Sequence, residues 1–230
     1  MEDRLFQSEE FGTSSPATAT VIFICPYGTP IHKVRFAIRR LLGAGYHVVV
    51  YQTTAAVFTE ADPMILPKLI FVVREDIRSR IAKLTAQGVT EFGFFGSSLG
   101  SFILYNCIGS EIPELRWGVF NTGGNIARGV WNMPTLRQRH VARGWSLPRL
   151  EEAWATLQWP DFGRLDGCRF VFAGSRRDRV APLRNISQYL GPMFRAGADV
   201  SVYEVPATSH RTAVIVGLWK APQLVHRVRL

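Results

Sequence analysis

The sequence is poor in cysteine. Its 230 residues include three, Cys25, Cys107 and Cys168, which are widely spaced and form no C-x-x-C pair. Disulfide-stabilised domains and cysteine metal sites need even sets or closely spaced pairs of cysteines. The sequence therefore predicts neither a disulfide framework nor a metal site.

Long apolar runs are also lacking. None approaches the roughly 18 residues that a membrane-spanning helix needs. The first 20 residues, "MEDRLFQSEEFGTSSPATAT", are polar and acidic, with no basic segment leading into an apolar one, so no signal peptide is indicated. We therefore expect a cytoplasmic protein with no membrane span.

Acidic residues are outnumbered, 18 against 27 basic ones, which gives a net charge of +9. Such an excess of positive charge can favour binding to nucleic acid, to an anionic membrane or to an acidic substrate. However, the arginines are scattered, and no basic run is interleaved with aromatic residues. We interpret them mainly as a basic surface and expect no specific nucleic-acid partner. Steep salt-dependent binding to duplex DNA would be the signature of that alternative.

What the chain does contain is an alternation of apolar strands and helices. Six strands are predicted, in "VIFI", "GYHVVVYQ", "EFGFF", "LRWGVFN", "CRFVFAG" and "VSVYEVP". Helices are predicted over 31–43, 68–87, 99–109, about 182–196 and about 211–220. Near-continuous apolar strands that alternate with helices are typical of a mostly parallel sheet covered on both faces. We predict one α/β domain over 1–230, with a helical insertion at 125–165.

One short stretch carries chemistry, "FFGSSLGSF" at 94–102. Gly96 and Gly100 flank Ser98 in a G-x-S-x-G pattern at the exit of a predicted strand. A sharp strand-to-helix turn needs tiny residues two positions on either side, and it exposes only the central hydroxyl. Ser98 is therefore the candidate nucleophile, whereas Ser97 is expected to point elsewhere. The other interpretation is a turn rich in glycine and serine with no chemistry.

A serine nucleophile needs a histidine base that is oriented by a carboxylate. His210 follows the last predicted strand, at the sheet edge where Ser98 also lies. Asp178 follows the preceding strand in "AGSRRDRVAP", at the same edge. The alternative for Asp178 is an ion pair with a neighbouring arginine. The remaining histidines are expected to be surface or packing residues: His32, His47, His140 and His226.

The order Ser98, Asp178, His210, with the segments "GSSLG", "AGSRRDRVAP" and "TSH", resembles the α/β-hydrolase superfamily over roughly 18–220. The resemblance implies an eight-stranded, mostly parallel sheet and a serine hydrolase without a metal or organic cofactor. Only about 20 residues precede the first predicted strand. The usual N-terminal hairpin is therefore expected to be short or absent.

The resemblance also implies two backbone donors for the oxyanion. One is Leu99, and the other comes from "CPYGTP", where the alignment favours Thr29, with Tyr27 as the alternative. The insertion resembles a cap over the site. Its tryptophans, Trp131, Trp145, Trp154 and Trp159, either form walls of the substrate pocket or anchor cap helices.

These features predict a serine hydrolase that cleaves a small-molecule carboxylic ester or thioester through an acyl-enzyme on Ser98. An acyltransferase that uses the same triad is the first alternative. A non-catalytic binding protein on a hydrolase scaffold is the second. The sequence leaves the oligomeric state open.

Overall fold

The computed structural model describes residues 5–12, 19–59, 62–158 and 160–229 of the chain. Within them, seven strands form one sheet in the order β1-β3-β2-β4-β5-β6-β7. Strand β1 is antiparallel to β3, and the other neighbours are parallel. The strands are β1 (Phe6–Phe11), β2 (Ala19–Ile24), β3 (His47–Thr53), β4 (Glu91–Ser97), β5 (Leu115–Asn121), β6 (Arg169–Gly174) and β7 (Asp199–Glu204).

Helices connect the parallel strands, because parallel neighbours need a crossover connection. They are α1 (Ile31–Gly43), α2 (Ala56–Thr59), α3 (Ile65–Ala86), α4 (Leu99–Tyr105), α5 (Ile126–Asn132), α6 (Pro134–Val141), α7 (Leu147–Ala153), α8 (Ala155–Gln158), α9 (Ser187–Arg195), α10 (His210–Trp219) and α11 (Ala221–Arg229). A 3₁₀ turn covers Leu183–Ile186. Helices α5 to α8 make up the insertion between β5 and β6.

Alternate side chains of each strand enter two separate cores. In β2, Ile22 and Ile24 pack with α3, α4 and α9, whereas Val21 and Phe23 pack with α1 and α11 on the opposite face. All six residues of β2 are buried. The predicted α/β class, a mostly parallel sheet with helices on both faces, is thereby confirmed.

The strand count predicted from the sequence is wrong by one. Strand β1 precedes the first predicted strand and pairs with β3 from Phe6 opposite Thr53 to Phe11 opposite Val48. It lies at the sheet edge, and four of its six residues are polar. With so few apolar residues, it gives almost none of the pattern by which a buried strand is recognised.

Several helix boundaries also differ from the prediction: α4 ends at Tyr105 and not at residue 109, and α9 begins at Ser187, after the 3₁₀ turn. Helix α3 begins at Ile65, so Pro67 lies in its first turn, where the missing N–H has no intrahelical acceptor to lose. The last predicted helix continues beyond Lys220 as a second helix, α11.

None of the helices in the described part of the chain is both long and apolar enough to cross a bilayer.

Candidate active site

Ser98 occupies the turn between β4 and α4. Its backbone has φ 54° and ψ −116°, a left-handed conformation that is rare for a residue with a side chain. The side chain is half-buried, whereas its neighbour Ser97 is fully buried. The hydroxyl of Ser97 accepts a hydrogen bond from the side-chain amide of Asn121 at 2.8 Å. The turn therefore separates the two serines as the sequence predicted.

The two flanking glycines permit a close approach of backbone segments. A β-carbon on Gly96 would meet the carbonyl oxygen of Gly100 at 2.6 Å, and one on Gly100 would collide with the carbonyl of Ile24 in β2. These neighbours are backbone atoms and cannot swing aside. Only glycine fits at both positions, and this is the physical content of the G-x-S-x-G pattern.

The structure brings Ser98, His210 and Asp178 together at the carboxyl edge of the sheet. Ser98 Oγ lies 2.9 Å from His210 Nε2. His210 Nδ1 lies 2.7 Å from Asp178 Oδ2. When the ring proton is on Nδ1, the imidazole donates to the carboxylate and its Nε2 is free to accept the serine proton.

Asp178 is buried, and both of its carboxylate oxygens are occupied. Oδ2 accepts from His210, while Oδ1 accepts from the amides of Val180 at 2.8 Å and Ala181 at 3.0 Å. Burial alone would raise the pKa of this carboxyl, but the hydrogen bond and charge of His210 and the two amides lower it below its ordinary value. Asp178 is therefore an ionised, fixed acceptor rather than a partner of a surface arginine.

His210 is the first residue of α10, and its position is fixed by the helix cap. Ser209 accepts from the Thr212 amide, and the Thr212 hydroxyl accepts from the Ser209 amide at 3.0 Å in a reciprocal capping box. Helix caps of this kind hold the entry angle of the chain. The imidazole is thereby presented from a defined helix end rather than from a free loop.

Asn121 is a residue of the site that the sequence analysis did not single out. It ends β5, and its carbonyl accepts from the Ser98 amide and from the Ser101 hydroxyl, each at 2.8 Å. The next residue, Thr122, has φ 56° and caps the same carbonyl through its hydroxyl at 2.6 Å. The sequence signal was a polar residue closing an apolar strand, directly before "TGG".

Of the two backbone donors expected for an oxyanion, one amide is free to donate and the other is already hydrogen-bonded. The Leu99 amide lies in the first turn of α4 and has no acceptor among the described residues, as first-turn amides generally lack one. The Thr29 amide already donates to the Pro26 carbonyl at 3.1 Å in a turn. This bond disfavours Thr29. The alternative, Tyr27, lines the cavity at Ser98, and its amide has no acceptor in the described part of the chain.

An apolar cavity of about 40 Å³ opens beside Ser98 and His210. The apolar side chains that line it come from the Tyr27 loop, α2, α4, the insertion and the loop after β6: Tyr27, Phe58, Leu99, Phe102, Ile126, Val130, Met133, Val180 and Ala181. The insertion contributes through α5 and the residue after it, which is consistent with the position expected of a cap.

The tryptophans do not form the walls of this cavity. Of the tryptophans in the described residues, none lines it, and Trp159 lies outside the described residues. Trp154 is fully buried, and its indole N–H donates to the Pro63 carbonyl at 2.9 Å. Trp131 and Trp145 are half-buried and pack against the same core. Trp154 in particular ties the insertion to the segment that leads into α3, so the structure favours the anchoring role.

Cys25, directly before the Tyr27 loop, is not a competing nucleophile. Burial, with a smaller contribution from Glu9, raises the pKa of its thiol to about 12, and a protonated thiol is unreactive. Cys107 and Cys168 are likewise buried and free. Across the described ranges, no three His, Cys, Asp or Glu side chains are grouped so that they could hold a metal ion.

No family model matches the chain, and no curated protein matches it by sequence. Solved structures do match it over nearly its whole length. An esterase of Pyrococcus furiosus is 12% identical with a TM-score of 0.67, over 97% of this chain and 90% of that one. A lipase-esterase related protein of Clostridium acetobutylicum is 9% identical with a TM-score of 0.64, over 97% and 99%. An esterase of Exiguobacterium antarcticum is 12% identical with a TM-score of 0.59, over 98% and 96%.

Sheet order, the strained serine turn and these matches together define the class. The chain has the α/β-hydrolase fold. At such low identity the likeness establishes the fold alone, and function has to be argued from the site.

Proposed function

We propose that this protein is a serine hydrolase that cleaves a carboxylic ester or thioester through an acyl-enzyme on Ser98. One observation carries the proposal. The relay from Ser98 Oγ to His210 Nε2 at 2.9 Å, and from His210 Nδ1 to Asp178 Oδ2 at 2.7 Å, has the connectivity that activates a serine. The solved structures that share the fold include esterases and a lipase, which is consistent with this chemistry.

In the acylation step, Ser98 Oγ attacks the acyl carbon while its proton passes to His210 Nε2. The tetrahedral intermediate collapses, the bond from the acyl carbon to the leaving oxygen or sulfur breaks, and the imidazolium returns its proton to the leaving group. Water then adds to the acyl-enzyme with its proton taken by His210, and Ser98 leaves as the alcohol. Asp178 stays ionised and stabilises the imidazolium in both halves.

The Leu99 amide, with Tyr27 as the second donor, is assigned to the oxyanion. Each donor contributes about 3 kcal/mol to the transition state in enzymes of this type. We assign Tyr27 rather than Thr29 because the Thr29 amide is already bonded to Pro26.

The cavity beside Ser98 points to a short acyl group. A cavity needs about 10–15 Å³ to hold one water molecule, so a cavity of about 40 Å³ admits only a few carbon atoms. Its apolar lining favours an alkyl chain over a polar acyl group.

Labelling with a fluorophosphonate tests the assignment of the nucleophile. We expect wild type and Ser97→Ala to be labelled, since the Ser97 hydroxyl is buried against Asn121. Ser98→Ala should not be labelled and should lose turnover of a short-chain aryl ester. Labelling of Ser98→Ala at the wild-type rate would overturn the proposal. Circular dichroism on each variant separates loss of the nucleophile from loss of the fold.

A further inference from the structure

A second concavity lies beside the catalytic cavity, and arginines dominate its lining. Its volume is about 650 Å³, within the usual range of small-molecule sites. Five arginines line it, contributed by α5, the loop after β6 and the 3₁₀ turn: Arg128, Arg176, Arg177, Arg179 and Arg184. We call it the arginine cleft.

The charge of the arginine cleft is only partly compensated. Arg128 pairs with Glu151 at 2.9 Å, and Arg176 pairs with Glu204 at 3.1 Å. The side chains of Arg177 and Arg179 are exposed and have no carboxylate within ion-pair distance in the described part of the chain. Asp178 also lines the cleft, but its carboxylate is buried and held by His210 and two amides.

Helix α5 and the loop after β6 separate the arginine cleft from the catalytic cavity. Helix α5 gives Ile126 and Val130 to the cavity and Arg128 to the cleft. The loop after β6 gives Val180 and Ala181 to the cavity, while its arginines face the cleft.

The segments meet where the Asn132 side-chain amide donates to the Val180 carbonyl at 3.4 Å. The binding cavity of a substrate whose acyl carbon lies at Ser98 is therefore adjacent to a basic concavity. Arg74 and Arg78 also lie together but both pair with Glu111, whereas five arginines line this one concavity.

We propose that the arginine cleft binds a phosphate group on the alcohol or thiol part of the substrate, while the acyl group occupies the cavity at Ser98. This inference rests on the proposed function. Guanidinium groups pair with phosphate oxygens in two parallel hydrogen bonds. A basic concavity also raises the local concentration of an anion, an effect that salt weakens. A concavity of about 650 Å³ suits a small phosphorylated compound, whereas a long polyanion is bound along an extended basic groove.

The test compares two esters with the same short acyl group, one with a neutral alcohol and one with a phosphorylated alcohol of the same carbon skeleton. We measure kcat/KM for both at low and high salt, and take their ratio. The neutral ester corrects for any disturbance of Asp178 by changes at its neighbours. The variant is Arg177→Gln with Arg179→Gln. The control is Arg169→Gln, an exposed arginine at the opposite end of β6.

We expect wild type to prefer the phosphorylated ester about tenfold at low salt, with the preference reduced at high salt. The double variant should lose the preference and Arg169→Gln should keep it. No preference in wild type would overturn the inference. Equal losses in the double variant and the control would also overturn it, because the preference would then depend only on the net charge of the protein.

Calorimetric titration with inorganic pyrophosphate gives a readout that does not depend on turnover. Binding by wild type and Arg169→Gln, but not by the double variant, supports phosphate binding in the arginine cleft. If neither ester is hydrolysed, that result still holds and only the proposed function fails. Hydrolysis of the neutral ester with no pyrophosphate binding by wild type keeps the hydrolase and rejects the cleft. Tighter binding of a single-stranded RNA than of pyrophosphate, lost in the double variant, would assign the arginines to a polyanion and overturn the inference.

Discussion

The cavity beside Ser98 and the arginine cleft share two chain segments, α5 and the loop after β6, but differ in size and in the polarity of their linings. The cavity holds about 40 Å³ between apolar side chains, whereas the cleft holds about 650 Å³ between five arginines. The side chains of Ser98, His210 and Asp178 at the first are joined by hydrogen bonds, whereas Arg177 and Arg179 in the second are exposed. In the proposed function, bond cleavage depends on this hydrogen-bonded set of side chains, while selection of the leaving group is assigned to exposed charge that costs the fold little.

Asp178 is the residue that belongs to both sites, and its replacement has the largest expected effect. Asp178→Asn should lower kcat for a neutral ester by about 10⁴-fold, because an amide no longer fixes the Nδ1–H tautomer of His210. Steady-state kinetics measures this loss. Asp199→Asn, at the exposed start of β7, is the control and should stay near wild type. A loss below tenfold at Asp178 would show that another carboxylate orients the base.

The second prediction concerns the backbone that presents Ser98. Gly100→Ala places a methyl group against the Ile24 carbonyl in β2, and we expect the free energy of unfolding to fall by about 3 kcal/mol, together with most of the activity. Gly43→Ala is the matched control, because nothing lies within 4 Å of its added β-carbon. Urea unfolding of both variants checks the pair. Equal stabilities would mean that the turn relaxes freely.

The third prediction addresses the cavity wall. Met133→Ala should raise the ratio of kcat/KM for a hexanoyl ester over an acetyl ester by about tenfold, since a few methylene groups in an apolar pocket are worth that much discrimination. Trp145→Phe should leave the ratio unchanged, because Trp145 does not line the cavity. Should Trp145→Phe shift the preference instead, the tryptophans would be walls after all.

The smallest expected effect is a pH dependence of stability at Asp178. Its carboxyl pKa is lower in the folded chain than its ordinary value of 3.8. Its stabilising contribution is therefore complete above about pH 4 and is lost as the pH falls through the folded value. The advantage of wild type over Asp178→Asn in urea unfolding should shrink below about pH 4. An advantage that does not change with pH would mean that folding leaves this pKa unaltered.

The catalytic constellation could be proposed from the sequence because each of its parts follows from a local rule. Gly96 and Gly100 mark the turn, and His210 and Asp178 each follow a predicted strand at the same sheet edge. Strand β1 was missed because an edge strand with two apolar residues has no distinctive period. The donor choice between Thr29 and Tyr27 depends on one turn bond from Thr29 to Pro26, which no sequence pattern specifies.

The cap residues were the hardest to assign. Tryptophan suits both an apolar wall and a buried anchor, so composition could not distinguish them. The Trp154 bond to the Pro63 carbonyl joins residues 91 positions apart, and such long-range pairing depends on how the insertion settles on the sheet. Asn121 was overlooked for the same reason, since its value lies in contacts to Ser97 and Val214 from other elements.

In the proposed function, the order of the site residues along the chain also sets when the site can form during synthesis. Ser98 and His210 are 112 residues apart, and ribosomes add about 5–20 residues per second, so the base leaves the ribosome roughly 6–22 seconds after the nucleophile. Throughout that interval the growing chain carries a serine without its base. The proposed site is therefore incomplete until β7 has docked on the sheet and His210 has reached Ser98.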